Sequence, residues 1–265
     1  MPEFVAITPE RHAKKRLKNT ADYAFASELN IIQLIGSELS KTVSAMPIGF
    51  IRQEVGYQLV AFTSLEDGLN LYVTPDGKWL GPYIPAALRA YPFRLAKQEK
   101  SDTSILCINE ASGLVSENME EGYAFFDDQN EPTQEINEIL SLLSKIEANL
   151  AVTQASVTAL DHAGLIAPWE LNLLDGEDAV PVTGLFKVDE DALNNLDDEA
   201  FLTLRKAGGF AIAYAQLLSM NQLAVLERLG KLRGQLLEQK QATKSGDPSL
   251  KGFSLSEDEG TLTFD

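Results

Sequence analysis

Ala45-Met-Pro-Ile-Gly-Phe-Ile51, Tyr57-Gln-Leu-Val-Ala-Phe-Thr63 and Leu69-Asn-Leu-Tyr-Val73, followed by Thr74-Pro-Asp-Gly77, decide how this chain folds. Each of the three runs is short, rich in aliphatic and aromatic side chains, and bounded by polar or turn-forming residues, which is the pattern of strands. In Thr74-Pro-Asp-Gly77 the proline presets φ and the glycine tolerates φ > 0, so the chain is set to reverse there. Lys78-Trp-Leu80 then returns as a paired strand. Residues 45–81 therefore predict an antiparallel meander.

On the N-terminal side, Leu29, Ile32, Ile35 and Leu39 recur at helical spacing and predict a short helix over 25–41. Residues 1–24 read as a basic arm, with Arg11, His12, Lys14, Lys15, Arg16 and Lys18 close together; they suit anionic contacts or pairing with acids of the same chain. On the C-terminal side, Gly81-Pro-Tyr-Ile-Pro-Ala-Ala-Leu-Arg-Ala-Tyr-Pro-Phe93 reads as a proline-bracketed helical turn flanked by aromatics. Phe93–Ala96 and Ser104–Asn109 predict two strands across the charged turn Lys97–Asp102. Ala124–Phe126 is a short strand.

Pro132–His162 carries an apolar stripe of Ile136, Ile139, Leu140, Leu143, Ile146 and Leu150 and predicts a long helix, with a break allowed near Ala151-Val152 and Gly164 just past its end. Trp169–Leu174 and Val180–Val188 predict strands across Asp175-Gly176. A helical piece starts at Asp189, and Phe201–Lys206 is helical. Phe210–Lys240 is the last long helix. Leu218, Gln222, Val225, Leu229, Leu232 and Leu236 are spaced like a coiled-coil seam, so a homodimer through 218–236 stands beside packing on the chain's own core. The fold class is α+β: an antiparallel sheet with flanking helices and a long C-terminal helix. Residues 1–24 are the arm, 25–240 the domain, and 241–265 a disordered acidic tail whose end, Leu255–Phe264, has the makings of a docking peptide.

The 265 residues are 45% hydrophobic and carry a formal net charge of −17. The charge is unevenly spread: residues 110–200 hold Lys145 and Lys187 as their only bases against 21 acids. Such a span repels phosphate backbones and anionic lipid, so no nucleic-acid partner is expected. It suits a solvated acidic face or a basic protein partner. Cys107 is the one cysteine, in an apolar run, and reads as a small buried hydrophobe. The N-terminus lacks a signal-peptide pattern and no run reaches the length of a membrane span, which makes the cytoplasm the expected location.

Chemistry is sparse. The two histidines, His12 and His162, stand in no triad or zinc motif, and no P-loop or dinucleotide fingerprint occurs. Asp127-Asp128 and Asp189-Glu190-Asp191 lack the spacing of a calcium loop. No cofactor, metal or catalytic set is expected.

Asn70-Leu-Tyr-Val-Thr-Pro-Asp-Gly-Lys-Trp79, with Tyr83-Ile-Pro-Ala-Ala-Leu-Arg89 and Tyr91-Pro-Phe93, resembles the SapC family. Arg11-His12 with Leu17, Glu38 ahead of Met46-Pro-Ile-Gly-Phe50, Gly164-Leu165, Gly184-Leu-Phe186 and Leu217-Leu-Ser219 are similar to its flanking segments, and the likeness spans roughly residues 4–232. The family's paired arginine is here Arg89-Ala90. The resemblance implies a bacterial protein whose family name comes from a surface-layer link, with relatives encoded beside halogenase-like and cupin-like proteins and outer-membrane receptors. The expected function is a non-enzymatic binding or accessory protein that recognises a protein or small ligand at the 79–93 corner. Trp79, Tyr83, Arg89, Tyr91 and Phe93 are the candidate binding residues, with Glu38 and His12 beside them, since clustered aromatics and arginine carry binding energy. An enzyme with Arg, Tyr and carboxylate chemistry on a peptide or small metabolite, and a surface-layer structural protein, are the alternatives.

Overall fold

A computed structural model describes residues 4–19, 21–97, 104–172 and 180–245, with side chains to 238. In chain order it runs β1 (Phe4–Ala6), α1 (Pro9–His12), β2 (Arg16–Leu17), β3 (Ile31–Gln33), α2 (Leu39–Thr42), β4 (Ile48–Arg52), β5 (Tyr57–Phe62), α3 (Ala86–Arg89), β6 (Phe93–Lys97), β7 (Ser104–Asn109), β8 (Val115–Ser116) and β9 (Tyr123–Ala124). It continues through α4 (Gln134–His162), β10 (Ile166–Pro168), β11 (Leu171–Asn172), β12 (Pro181–Val182), β13 (Leu185–Val188), α5 (Glu190–Asn194), α6 (Asp198–Lys206), α7 (Gly209–Ser219) and α8 (Leu223–Ser245). The class is α+β.

The β4–β5 hairpin is the centre of an antiparallel sheet of order β10-β13-β4-β5-β3. β4 and β5 are buried almost throughout because helices cover them: α4 packs on β5, and α7 packs on β4 and β13. Gly49 is required where β4 passes closest to its neighbours, since a Cβ there would lie 2.6 Å from the Phe62 ring and 2.9 Å from the Phe186 carbonyl. Two buried polar side chains fix α7 to this sheet. Gln216 accepts from Val188 N at 2.9 Å and donates to Ile48 O, and Ser219 Oγ accepts from Ile48 N at 2.9 Å.

A second core lies under the sheet β1-β7-β6, where Ile108, Phe125, Phe93, Ile136 and Leu143 meet. α4 belongs to both cores. Its first half supplies Ile136 and Leu143 to this one, and its last turns supply Val157 and Leu160 to the main one. The helix is unbroken at Ala151-Val152.

Four expectations are corrected. Residues 25–41 are not one helix. Ile31 and Ile32 form β3 on the outer edge of β5, with Ile32 and Leu34 buried and Gln33 exposed; β-branched side chains and a free strand edge override the helical spacing. Leu69–Val73 is not a third strand, because both edges of β5 are already taken by β3 and β4. The segment turns instead around buried Asn70, whose amide donates to Ala26 O and whose Oδ1 accepts from Tyr72 N. Thr74–Lys78 is the expected reversal, with Gly77 at φ 82° and a single bridge joining Val73 to Trp79. Residues 4–17 do not stand off as an arm: β1 pairs with β7, and β2 pairs with both β8 and β9.

The fourth correction concerns the last helix. Phe210–Lys240 divides into α7 and α8 at a 3-10 turn, Met220–Gln222, and in the 218–236 seam Leu229 is buried in the chain's own core while Leu218 is 65% exposed. The run 209–238 is nonetheless long and apolar enough, by length and composition, to cross a membrane, with 39% of its most apolar window buried here. The expected tail 241–265 begins too early, because α8 continues to Ser245; residues 98–102 of the expected charged turn, the Asp175-Gly176 turn, and residues 246–265 with the Leu255–Phe264 segment lie outside the described residues.

Candidate functional site

Glu38 organises the corner. It ends the 3-10 turn Gly36–Glu38, and its Oε1 accepts from Ile35 N at 2.9 Å, which closes that turn. Gly36 N in turn donates to Thr153 Oγ1 at 2.7 Å, so α4 holds the turn in place. Oε2 accepts from two groups on the other side of the corner, Tyr83 Oη and Ala86 N, both at 2.8 Å. α3 has Pro85 at its N-cap, with no side-chain acceptor of its own, and the buried Glu38 carboxylate satisfies its first N–H instead. One carboxylate thus joins two segments 48 residues apart.

Tyr83 sits on that carboxylate, and cations surround its ring. Arg89 donates to Ile84 O (3.1 Å) and to Tyr83 Oη (3.3 Å), and its guanidinium lies 5.8 Å from the ring centroid. Lys41 Nζ lies 5.9 Å from the same centroid. Burial first, and then the hydrogen bond to Glu38, push the Tyr83 phenol up to about 12, with Arg89 opposing. A cavity of about 160 Å³ opens here, lined among others by Ser37, Lys41, Tyr83, Arg89, Lys145 and Asn149. Lys41, Arg89 and Lys145 are exposed, and among the described residues none of them forms an ion pair.

Of the residues expected from sequence, Glu38, Tyr83 and Arg89 meet at this cavity. Trp79 supports it from behind: half-buried, it stacks on Tyr72 at 5.4 Å and donates Nε1–H to Tyr83 O at 3.0 Å. Tyr91 is half-buried and stacks on Phe25 at 3.8 Å. Phe93, expected at the surface, is buried in the second core because β6 begins at it. His12 is likewise fully buried. Its Nδ1 accepts from Thr8 N, its Nε2 faces Glu110 Oε1 at 3.3 Å, and its ring packs on Phe125 at 5.3 Å. None of these contacts belongs to the cavity, and burial pushes the imidazole pKa down against the pull of Glu110. Lys41, Lys145 and Asn149 were not singled out from sequence. The available signal was Lys145 itself, one of two bases in an acidic span.

The arrangement suits capture of an anion better than proton transfer. Both Glu38 oxygens are engaged by donors, and a phenol held near 12 gives up no proton at neutral pH. Among the described residues no group of three or more His, Cys, Asp or Glu side chains is placed to hold a metal ion. Residues 7–226 match the family model described as SapC, a span that contains every residue of the cavity. No curated protein and no solved structure matches the chain.

Proposed function

The chain belongs to the SapC family, and on that premise we propose that it is a binding protein, with no reaction of its own, that takes up a carboxylate or phosphate group between Arg89, Lys41 and Lys145. The observation that carries this reading is three cations that form no ion pair among the described residues and line one cavity of a protein whose net charge is −17. Elsewhere the overall field turns anions away, so an anion gains most at this point. Arg89 adds directionality. Its Nε and one terminal nitrogen are tied back to Ile84 and Tyr83, which fixes the guanidinium plane before a ligand arrives and lowers the cost of ordering it.

Size sets the ligand class. Drug-sized ligands occupy pockets of about 300–1,000 Å³, so 160 Å³ accommodates a head group and not a whole metabolite. The acidic end of a larger small molecule or of a peptide fits, with the rest lying across the rim. The test uses inorganic phosphate and succinate as probes at constant ionic strength, followed by calorimetry and thermal shift. The native protein should bind at least one of them, and Arg89→Ala with Lys145→Ala should bind about tenfold more weakly or worse. Equal affinity in the native and doubly substituted proteins would refute the assignment.

A further inference from the structure

We infer that the chain pairs with a second copy of itself, two-fold and antiparallel, through the outward faces of α6 and α7. In α6 the residues Asp198, Phe201, Leu202 and Arg205 fall at i, i+3, i+4 and i+7, which is one face of a helix, and all four are exposed. Phe201 is 45% and Leu202 48% exposed, whereas Leu204 is the buried residue of this helix. α7 continues the surface with Phe210, Tyr214 and Leu218 at i, i+4 and i+8, the last two 53% and 65% exposed. The two helices share an aromatic ladder: Phe201 lies 4.7 Å from Phe210, and Phe210 stacks 6.2 Å from Tyr214.

The charge pattern identifies the occupant. α6 begins with Asp198 and Glu199 and ends with Arg205 and Lys206. Asp198 and Arg205 are about 10 Å apart along the helix axis, too far to pair with each other, and neither forms an ion pair among the described residues. Laid antiparallel on a second α6, the acidic end meets the basic end twice, with Phe201 and Leu202 between, which is the self-complementarity of an isologous interface. α7 carries no charged residue. The patch is therefore close to neutral on a molecule of net charge −17, so two copies can meet here without their repulsion. An anionic bilayer would want cations at both ends of the helix, and finds acids at one of them. This surface shares only Leu218 with the 218–236 seam.

The test is sedimentation equilibrium on the full chain from ~1 to ~100 µM. The native protein should be dimeric, and Tyr214→Glu with Leu218→Glu should leave a monomer of unchanged circular dichroism. Asp198→Arg alone and Arg205→Asp alone should each weaken the dimer by about tenfold or more, and the two together should restore it, because each reversal then faces its opposite in the second copy. Recovery in the double reversal separates lost pairing from lost folding. A native protein that stays monomeric at ~100 µM, a dimer indifferent to the Tyr214 and Leu218 changes, or a double reversal no better than either single one overturns the inference.

Discussion

Glu38 is where one side chain has the largest reach. The residue is 4% exposed, and its carboxylate accepts from two backbone N–H groups and one phenol. Removing it strands buried donors, and hydrogen bonds to a charged group contribute about 1.5–3 kcal/mol each. Glu38→Ala should therefore cost about 3–5 kcal/mol in urea unfolding, in line with breaking a buried charged network. Tyr83→Phe, which removes one donor and leaves the other two, should cost about 1–2 kcal/mol. Tyr83 and Arg89 were readable because they fall in one dense motif, whereas Glu38, 45 residues ahead of Tyr83, was readable only through the family likeness of its flanking segment. Lys145 was not, because more than 50 residues separate it from Arg89 and only the path of α4 brings it to the cavity. Tyr91 and Phe93 were misplaced for a different reason: aromatics beside proline suit a packed corner and an exposed one equally, and nothing local tells them apart.

At the scale of elements, α1 shows how a short helix survives. Four residues make one turn, too little to be stable alone. It is held by Glu110 at the end of β7, which pairs with Arg11, bonds Lys15 at 2.7 Å and lies 3.3 Å from buried His12. Arg11, His12 and Lys15 thus face the first acid of the acidic span. Arg11 and Lys15 hold the Glu110 carboxyl down at about 2, below its ordinary 4.5. In the window between those values the folded chain keeps Glu110 ionised while the unfolded chain takes up a proton. The contribution is complete above about 4.5 and is lost as pH falls toward 2. Glu110→Gln should therefore be less stable than the native protein at pH 6, and the gap should narrow steadily down to ~pH 2. A gap that stays constant with pH would assign the effect to packing. Elements readable from sequence were those with long or uniform patterns: the β4–β5 hairpin, α4, and the β6–β7 pair. β3 was not, since Ile32, Ile35 and Leu39 fit a helical face as well as they fit a strand followed by a turn. The choice was made by the open edge of β5, which lies outside that segment.

At the scale of the whole molecule, the described residues pack into three apolar clusters, the two larger ones sharing one 29-residue helix and a smaller one around Ala26, Ile32, Val73 and Leu88, with charge distributed against itself. Most of its 39 acids have no ion pair among the described residues, and the residues 110–200 that include α4 carry only two bases. Like charges on a compact surface repel, and that repulsion is weaker in the expanded chain, so net charge lowers stability. Screening should relieve it. The Debye length falls from about 30 Å at 0.01 M salt to about 10 Å at 0.1 M, shorter than the roughly 39 Å that separates Glu135 from Asp161 along α4. The opposing term is small: among the described residues, apart from Glu110 with its two cations, the ion pairs are exposed ones such as Lys231–Glu227, and these contribute at most about 1 kcal/mol each. Repulsion should win, and the melting temperature should rise by about 3–6 °C between ~10 and ~300 mM sodium chloride, for a gain of roughly 1–2 kcal/mol in a chain of this size. Sodium chloride matters as the salt, because phosphate is a probe of the anion site proposed at Arg89 and would mix that test with screening. Glu110→Gln sharpens the outcome. Without the ion-pair cluster at Glu110 the protein should gain more from salt than the native chain does, and a melting temperature that falls with salt in both proteins would mean that attractive pairs, and not the excess of acids, dominate the electrostatics of the fold.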